Sequence, residues 1–481
     1  MSAIPIDVAR QRTPMLDHPL NDHGNALRIR AFAGGDLLYS YAEKCWFVWD
    51  SKRWARDING AAIRLAKAAM LQFLSDAITT GNEKLESFAK RNLDHGRLLS
   101  ALSSLQCELP VDASEFDADR HLLNFANGTV NLKTGEVHPH NKDDKITRLI
   151  DHDFKPAAIC YRFLLFLERL MGGGPDASEG ANERAQQLIG YLQKALGYSV
   201  TGETSEKVVF ICHGNGNNGK STLLDVIRQL IPAYSSKILI DSLMLKNGGE
   251  SANTLTDLAD LRGARFVNTS ETEYGQRLSE GRLKRITQGM GTIKAVRKYE
   301  NPITFPETHK LWIDANHLPV ISGSENAIWN RLHAIPFSVV IPPMEIDRQL
   351  STKLLAEAEG ILAWCVAGAQ AWYAEGLHKP AAISDAVDGW REDMNTLGPF
   401  LDELCELKDD PDYWVKVSEM WKAYSAWAER NDEKRPLSQQ GLAAQLESRG
   451  VSRGKRDGGS TRVWRGIRFR VRSGTTGQVG T

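Results

Sequence analysis

Cysteine is scarce, six in 481 residues, and no two stand in C-x-x-C spacing. Cys45, Cys107, Cys160, Cys212, Cys365 and Cys405 are scattered singly. That pattern argues against a zinc ribbon or a disulfide framework, and for a reducing compartment. No stretch approaches the ~18 uncharged apolar residues of a membrane span. The opening MSAIPIDVARQRTPMLD has no apolar run, so no signal peptide is expected. Net charge is missing too: 59 Lys and Arg against 60 Asp and Glu leave −1. This excludes a uniformly basic nucleic-acid binder, but a neutral total can hide a local basic patch. Internal repeats and low-complexity blocks are also absent. What is present, 42% hydrophobic and 25% charged residues, is the composition of an ordinary globular chain. At roughly 150 residues each, about three domains are expected.

Trp46, Trp49 and Trp54 flank Asp50-Ser51-Lys52, which suggests a β-hairpin. AAIRLAKAAMLQFLSDAI has helical spacing of apolar residues. HLLNFANGTVNLKTGEVHPH is strand-like, with turns at Asn127-Gly128 and Thr134-Gly135. After the glycine-rich MGGGPDASEGANE and a helix around ERAQQLIGYLQKALGY, β-like runs alternate with helical ones: VVFIC, STLLDVIRQLI, ARFVNTSE and KLWIDAN. Such alternation predicts a parallel sheet with crossover helices. Residues 346–377 read as helical, 378–397 as a linker, and the tail as a small separate domain.

GNGNNGKST, comprising Gly214, Asn215, Gly216, Asn217, Asn218, Gly219, Lys220, Ser221 and Thr222, fits G-x-x-x-x-G-K-[ST]. Glycines let backbone N–H groups approach phosphate oxygens, and the following helix aims its N-terminus at them. Lys220 is expected at the β/γ-phosphates of ATP and Ser221 at Mg²⁺. A strand before the loop and an amphipathic helix after it supply the required context. A second acid is needed to hold Mg²⁺ and polarise water. Glu271, at the end of the strand-like run ARFVNTSE, is the first candidate and Glu273 the second. Asn316, ending the apolar KLWIDA, is placed to sense a γ-phosphate or orient water.

GTIKAVRKYENPITF suits a hairpin that presents Lys294, Arg297, Lys298 and Tyr299, cations for phosphates and a ring for a base. Arg331, between two apolar stretches, is a candidate for stabilising γ-phosphate charge, a role often filled from a neighbouring subunit. Between Arg435 and Arg472 stand ten basic residues and two acids. SQQGLAAQLESRG reads there as a helix and RVWRGIRFRV as a half-exposed strand. A helix followed by a basic hairpin suits a winged-helix domain whose cations Lys455, Arg456, Arg462 and Arg465 contact phosphates.

The order GNGNNGKST, SETE, KAVRKY, IDANHLP and WNRLHAIPF resembles the superfamily-3 helicase core of viral and plasmid replication proteins. More closely, it resembles the phage/plasmid primase-helicase family, related to the poxvirus primase-helicase. LLNFANGTVNLKTGEVHPH is similar to that family's N-terminal helicase-associated domain and DHGNALR to its opening, so the likeness spans residues 17–472. The fold class it implies is α/β. An AAA+-like P-loop NTPase core (181–377) would follow a polar lead-in (1–37) and a mixed α/β, mainly helical N-terminal domain (38–180). A winged-helix-like DNA-binding domain (398–472) and a flexible tail (473–481) would follow the linker.

The resemblance further implies an ATP- and Mg²⁺-dependent ring, commonly a hexamer, that moves 3′ to 5′ on single-stranded DNA and unwinds duplex. Lys220 and Ser221 map onto its P-loop, Glu271 onto the Mg²⁺ and water acid, and Asn316 onto the sensor. Lys298 and Tyr299 map onto the strand-gripping hairpin and Arg331 onto the arginine finger. Which of Glu271 and Glu273 activates water stays open, because the acids are split as E-T-E. Fewer than ~20 residues precede the matched region, so primase activity is not expected. Host or phage primases and polymerases are expected partners, and the host cytoplasm the expected location. Two alternatives stand beside this reading: an origin-binding or loading platform that uses ATP only for assembly, and an RNA-directed enzyme of the same superfamily.

Overall fold

The computed structural model describes residues 15–245, 258–269, 276–296, 302–321, 326–394, 397–433 and 436–470. The amino-terminal body packs helices α1 (Asp22–Ala33), α2 (Ala61–Thr79), α3 (Glu83–Arg91) and α4 (His95–Leu105) beside the antiparallel strands β1 (Leu37–Ser40), β2 (Cys45–Trp49) and β3 (Trp54–Arg56). The β2–β3 hairpin turns through Asp50 and Ser51. The Asp50 carboxylate accepts from the amides of Lys52 and Arg53 at 3.0 and 2.8 Å, and Ser51 takes φ 77°. A second antiparallel sheet, β4 (Leu122–Phe125), β5 (Gly128–Asn131) and β6 (Val137–His138), leads into α5 (Tyr161–Leu170) and α6 (Glu179–Val200).

The central sheet is built from β7 (Val209–His213), β8 (Ser235–Ile238), β9 (Phe266–Thr269), β12 (Lys310–Ala315) and β13 (Leu332–Pro336), in the order β13-β7-β12-β9-β8, and every pairing is parallel. Helix α7 (Lys220–Leu230) follows β7, and α8 (Glu280–Ile286) precedes a two-stranded ribbon of β10 (Thr292–Ala295) and β11 (Ile303–Pro306). Strand residues alternate between two cores, as a sheet covered on both faces requires. Phe210, Phe266 and Trp312 face one core with α5, α6 and α7. Val209, Ile211, Val267 and Ile313 face the other with α8. After α9 (Asn326–Trp329) and β13, helices α10 (Leu350–Leu355) and α11 (Ala358–Glu375) close the first core.

Two buried cations seat the sheet on the end of α6. Arg265, just before β9, donates to the carbonyls of Val200 and Leu122 at 2.9 and 2.8 Å. Lys310 donates to the Thr201 carbonyl, and at 3.1 Å to those of Glu203 and Thr308. A helix C-terminus presents unsatisfied carbonyls and partial negative charge, which suits cations there. Burial pushes the Lys310 ammonium well below its ordinary value.

Three expectations are corrected. The supposed polar lead-in contains α1. It starts where the Asn21 side chain accepts from the Gly24 amide at 2.8 Å, and it buries Ala26, Ile29 and Ala33. Its Arg28 is fully buried yet satisfied by the carbonyls of Met15, His18 and Pro19, with the guanidinium 4.1 Å from the Phe73 ring. The supposed linker 378–397 contains α12 (Ala381–Asp393), which packs on β13 and buries Trp390 against Trp329, with its indole N–H on the Pro319 carbonyl at 3.2 Å. The hydrophobic core also does not divide near residue 180: Leu123, Phe125 and Phe163 belong to the same cluster as Phe210 and Trp312.

The carboxy-terminal body has its own core, including Phe400, Tyr424, Trp427 and Trp464. Its elements are α13 (Gly398–Leu404), β14 (Cys405–Leu407), β15 (Trp414–Lys416), α14 (Val417–Arg430), α15 (Gln439–Ser448), β16 (Ser452–Arg456), β17 (Thr461–Arg465) and β18 (Ile467–Phe469). All six cysteines are free thiols. Among the described residues no helix is long and apolar enough to cross a membrane.

Candidate functional site

The glycine loop leaves the carboxyl end of β7, a strand flanked on both sides within the sheet. Open parallel sheets hold ligands at that end. The chain bends there by left-handed residues: Gly216 at φ 58°, Asn217 at 45° and Gly219 at 76°. A side chain at Gly219 would meet the Leu170 methyl at 2.7 Å, and one at Gly214 the Phe337 carbonyl oxygen at 2.1 Å. The segment after β13 braces the loop. The Ile341 backbone amide donates to the Asn217 carbonyl at 2.8 Å, and the Asn218 side-chain Nδ2 donates to the Phe337 carbonyl at 3.1 Å. Gly219 caps α7 without a side-chain hydrogen bond, so the helix's first amides are not covered by its own cap.

Lys220, the first residue of α7, is 2% exposed. Its ammonium donates to the Gly214 carbonyl at 2.8 Å and to the side-chain oxygens of Asn218 and Asn316, each at 3.0 Å. Ser221 Oγ donates to Asp314 Oδ2 at 2.5 Å, and the other Asp314 oxygen lies 3.9 Å from Lys220 Nζ. The fold therefore brings Lys220, Ser221 and Asn316 together, and adds Asp314. Sequence reasoning passed over Asp314 because it sits inside the apolar run LWIDA. The available signal was the rule that an acid in a fully buried strand requires a partner. At the end of β7, burial and then the Lys220 charge hold the His213 imidazole below its ordinary pKa, favouring the neutral ring.

Glu271 and Glu273 lie outside the described residues, as do Arg297, Lys298 and Tyr299. Lys294 stands on the exposed face of β10, opposite Thr304 of β11. Arg331 precedes β13 at its amino end, roughly 15 Å along the strand from the loop at ~3.3 Å per residue. It donates to the Thr287 carbonyl, with Thr287 Oγ1 at 3.5 Å. The turn that begins at Thr287 also holds the base of the β10–β11 ribbon. The Gly289 amide donates to Glu307 Oε2 at 3.1 Å, and the Glu307 amide donates back to the Gly291 carbonyl at 2.9 Å. Burial pushes the Glu307 carboxyl up to about 7.

The four cations expected on the tail hairpin separate. Lys455 and Arg462 are direct cross-strand partners. Arg456 stacks on Trp414 with its guanidinium 4.5 Å from the ring centroid, while Arg465 passes beside Gly454 and donates to the Lys455 carbonyl at 3.3 Å.

Residues 26–172 match the family described as D5 N terminal like, and residues 212–331 a family of unknown function, DUF5906. Viral relatives whose names carry the word helicase come from Acanthamoeba polyphaga mimivirus (23% identical, covering 66% of this chain and 34% of the relative) and Invertebrate iridescent virus 6 (21%, 71% and 38%). A third is from Frog virus 3 (25%, 50% and 26%). These matches support a likeness to phage and viral primase-helicase-like proteins. It spans about a third of the length of the curated relatives it matches. Among solved structures, it is similar to the apo NrS-1 C-terminal region at 14% identity and TM-score 0.39, covering 66% of this chain and 77% of that one.

Proposed function

We propose that this chain is the motor subunit of an ATP-driven DNA helicase that works as a ring, with an AAA+-like P-loop core and a winged-helix-like carboxy-terminal body. One observation carries the reading: the cluster of Lys220, Ser221, Asp314 and Asn316 on a glycine loop at the carboxyl end of a parallel sheet. The names of the viral relatives support the choice of helicase over other nucleotide-dependent activities.

In this reading the loop amides and the first turn of α7 hold the polyphosphate of ATP. Lys220 exchanges its loop oxygens for phosphate oxygens, already desolvated and aimed. Mg²⁺, when bound, neutralises charge that develops between the β- and γ-phosphates. Ser221 and Asp314 are the residues that would hold it, since a hydroxyl and a carboxylate already share one point. Asn316, beside Lys220 Nζ, orients the attacking water or registers the γ-phosphate. Glu271 and Glu273 remain the carboxylates assigned to activating that water.

Arg331, at the opposite end of β13 from its own chain's loop, serves a neighbouring subunit's nucleotide. The β10–β11 ribbon, with Lys294 and the cations beyond it, grips one DNA strand as the subunits cycle, with 3′-to-5′ travel and a hexamer as the working geometry.

A strand-displacement assay with purified protein tests the motor. Lys220→Ala abolishes ATP hydrolysis and unwinding, while Lys294→Ala keeps most hydrolysis and weakens unwinding. Unwinding by the Lys220 variant removes the proposal. Hydrolysis that ignores single-stranded DNA, without displacement, points instead to a loading platform.

A further inference from the structure

The carboxy-terminal body holds a cavity that the motor cycle does not use. It measures about 560 Å³ and opens between the amino-terminal halves of α14 and α15 and the β16–β17 hairpin. Its volume falls within the ~300–1,000 Å³ range of small-ligand sites. Val417, Leu442 and Val463 give it an apolar floor, and Trp421, half-buried, stands along one side. Gln439 and Gln440 bring side-chain amides from the first turn of α15.

Lys455 and Arg462 complete the lining. Like charges directly opposite on a hairpin destabilise it. Among the described residues neither has an ion-pair partner, and both are exposed. Arg453, also on the lining, is different: it pairs with Glu447 at 2.6 Å and lies 5.3 Å over the Trp464 ring. The hairpin thus neutralises one of its cations and leaves two facing each other beside an aromatic wall. Trp421 is backed by the Tyr424 ring at 6.2 Å, and a groove of this lining suits a phosphate at the two cations and a flat ring along the indole.

We propose that this groove is a second nucleic-acid site that captures one unstacked nucleobase of a single strand. The base lies against Trp421, its edge meets the glutamine amides, and the adjoining phosphate sits between Lys455 and Arg462. A base inside a duplex has both faces covered by its neighbours and cannot enter. The proposal rests on the reading that the chain engages DNA, but it does not depend on hydrolysis.

The test is fluorescence anisotropy of the full chain, in a Lys220→Ala background and without nucleotide, so that loss of the motor cannot obscure it. The probes are a labelled oligo-dT strand, a strand of equal length made of abasic residues, and a duplex. Trp421→Leu, which keeps apolar packing, weakens oligo-dT binding about tenfold, the scale of one lost base stack, and leaves abasic binding unchanged. Trp421→Phe keeps a ring and restores most of the affinity. The double variant Lys455→Ala/Arg462→Ala weakens both strands and lowers the salt dependence by roughly one phosphate contact. Equal loss on both strands with Trp421→Leu, no loss on either, or tighter binding of duplex than of oligo-dT overturns the proposal. So does competition by an acidic peptide but not by free oligo-dT.

Discussion

At the scale of single residues, the informative atom pair is Ser221 Oγ and Asp314 Oδ2. A buried carboxylate costs several kcal/mol unless hydrogen bonds or charge compensate it, and here a hydroxyl and a nearby ammonium do so. Asp314→Asn retains an oxygen for the Ser221 hydroxyl but removes the charge that attracts a divalent cation. The expected outcome is nucleotide binding within a few-fold of the parent, measured with a fluorescent ATP analogue, and phosphate release reduced by about a hundredfold or more, the scale of losing one electrostatic contact to the transition state. A variant that hydrolyses normally would move the metal role to Glu271 or Glu273.

The glycine loop was legible in the sequence because its requirements are local: left-handed φ at Gly219 and no room for a Cβ against Leu170 leave few residues that fit. Asp314 was not, since an acid within an apolar run becomes meaningful only once β12 lies beside β7 and brings it to Ser221, which is 93 residues away in the chain.

Among the elements, the turn from Thr287 to Gly291 couples two parts of the proposed motor. One side receives Arg331 and the other holds the β10–β11 ribbon through Glu307. Burial raises the Glu307 pKa to about 7. The unfolded chain therefore gives up this proton at lower pH than the folded one. The stability tied to the protonated group is fully present below the ordinary carboxylate pKa of about 4.3 and is lost as pH rises through 7. Between pH 5 and 8 the parent should lose up to about 3 kcal/mol more than Glu307→Gln, read from urea midpoints at both pH values. Parallel curves for the two proteins would refute this.

Elements also show where periodicity fails as a guide. Helix α1 buries a face of mostly small residues, Ala26, Ile29 and Ala33, around a charged Arg28, so its sequence looks polar. Helix α12 is held by Trp390 on Trp329 and Pro319, partners at least 61 residues earlier. The tail's helix-and-hairpin order was readable because its turns and alternation are short-range.

For the whole molecule, the question is which chain completes which site. Arg331 and Lys220 lie at opposite ends of adjacent parallel strands, so one chain cannot bring them to one phosphate without breaking its sheet. Lys220→Ala and Arg331→Ala should each be inactive alone, yet co-assembled at equal amounts they should regain hydrolysis. About one interface in four then joins an intact lysine to an intact arginine. Rescue measured as phosphate release, absent when the proteins are kept apart, is the expected result. No rescue in verified mixed oligomers would confine each site to its own chain.

One strand gives that arrangement a directional character. Arg331 immediately precedes β13, and Phe337, whose carbonyl accepts from the Asn218 side chain of the glycine loop, immediately follows it. In a ring assembled as proposed, a tug on the guanidinium from next door travels down a stiff rod of five residues and arrives at this chain's own cradle. Adjacent firing events are then wired head to tail rather than in parallel, and such a circuit favours a wave that passes around the circle over simultaneous discharge.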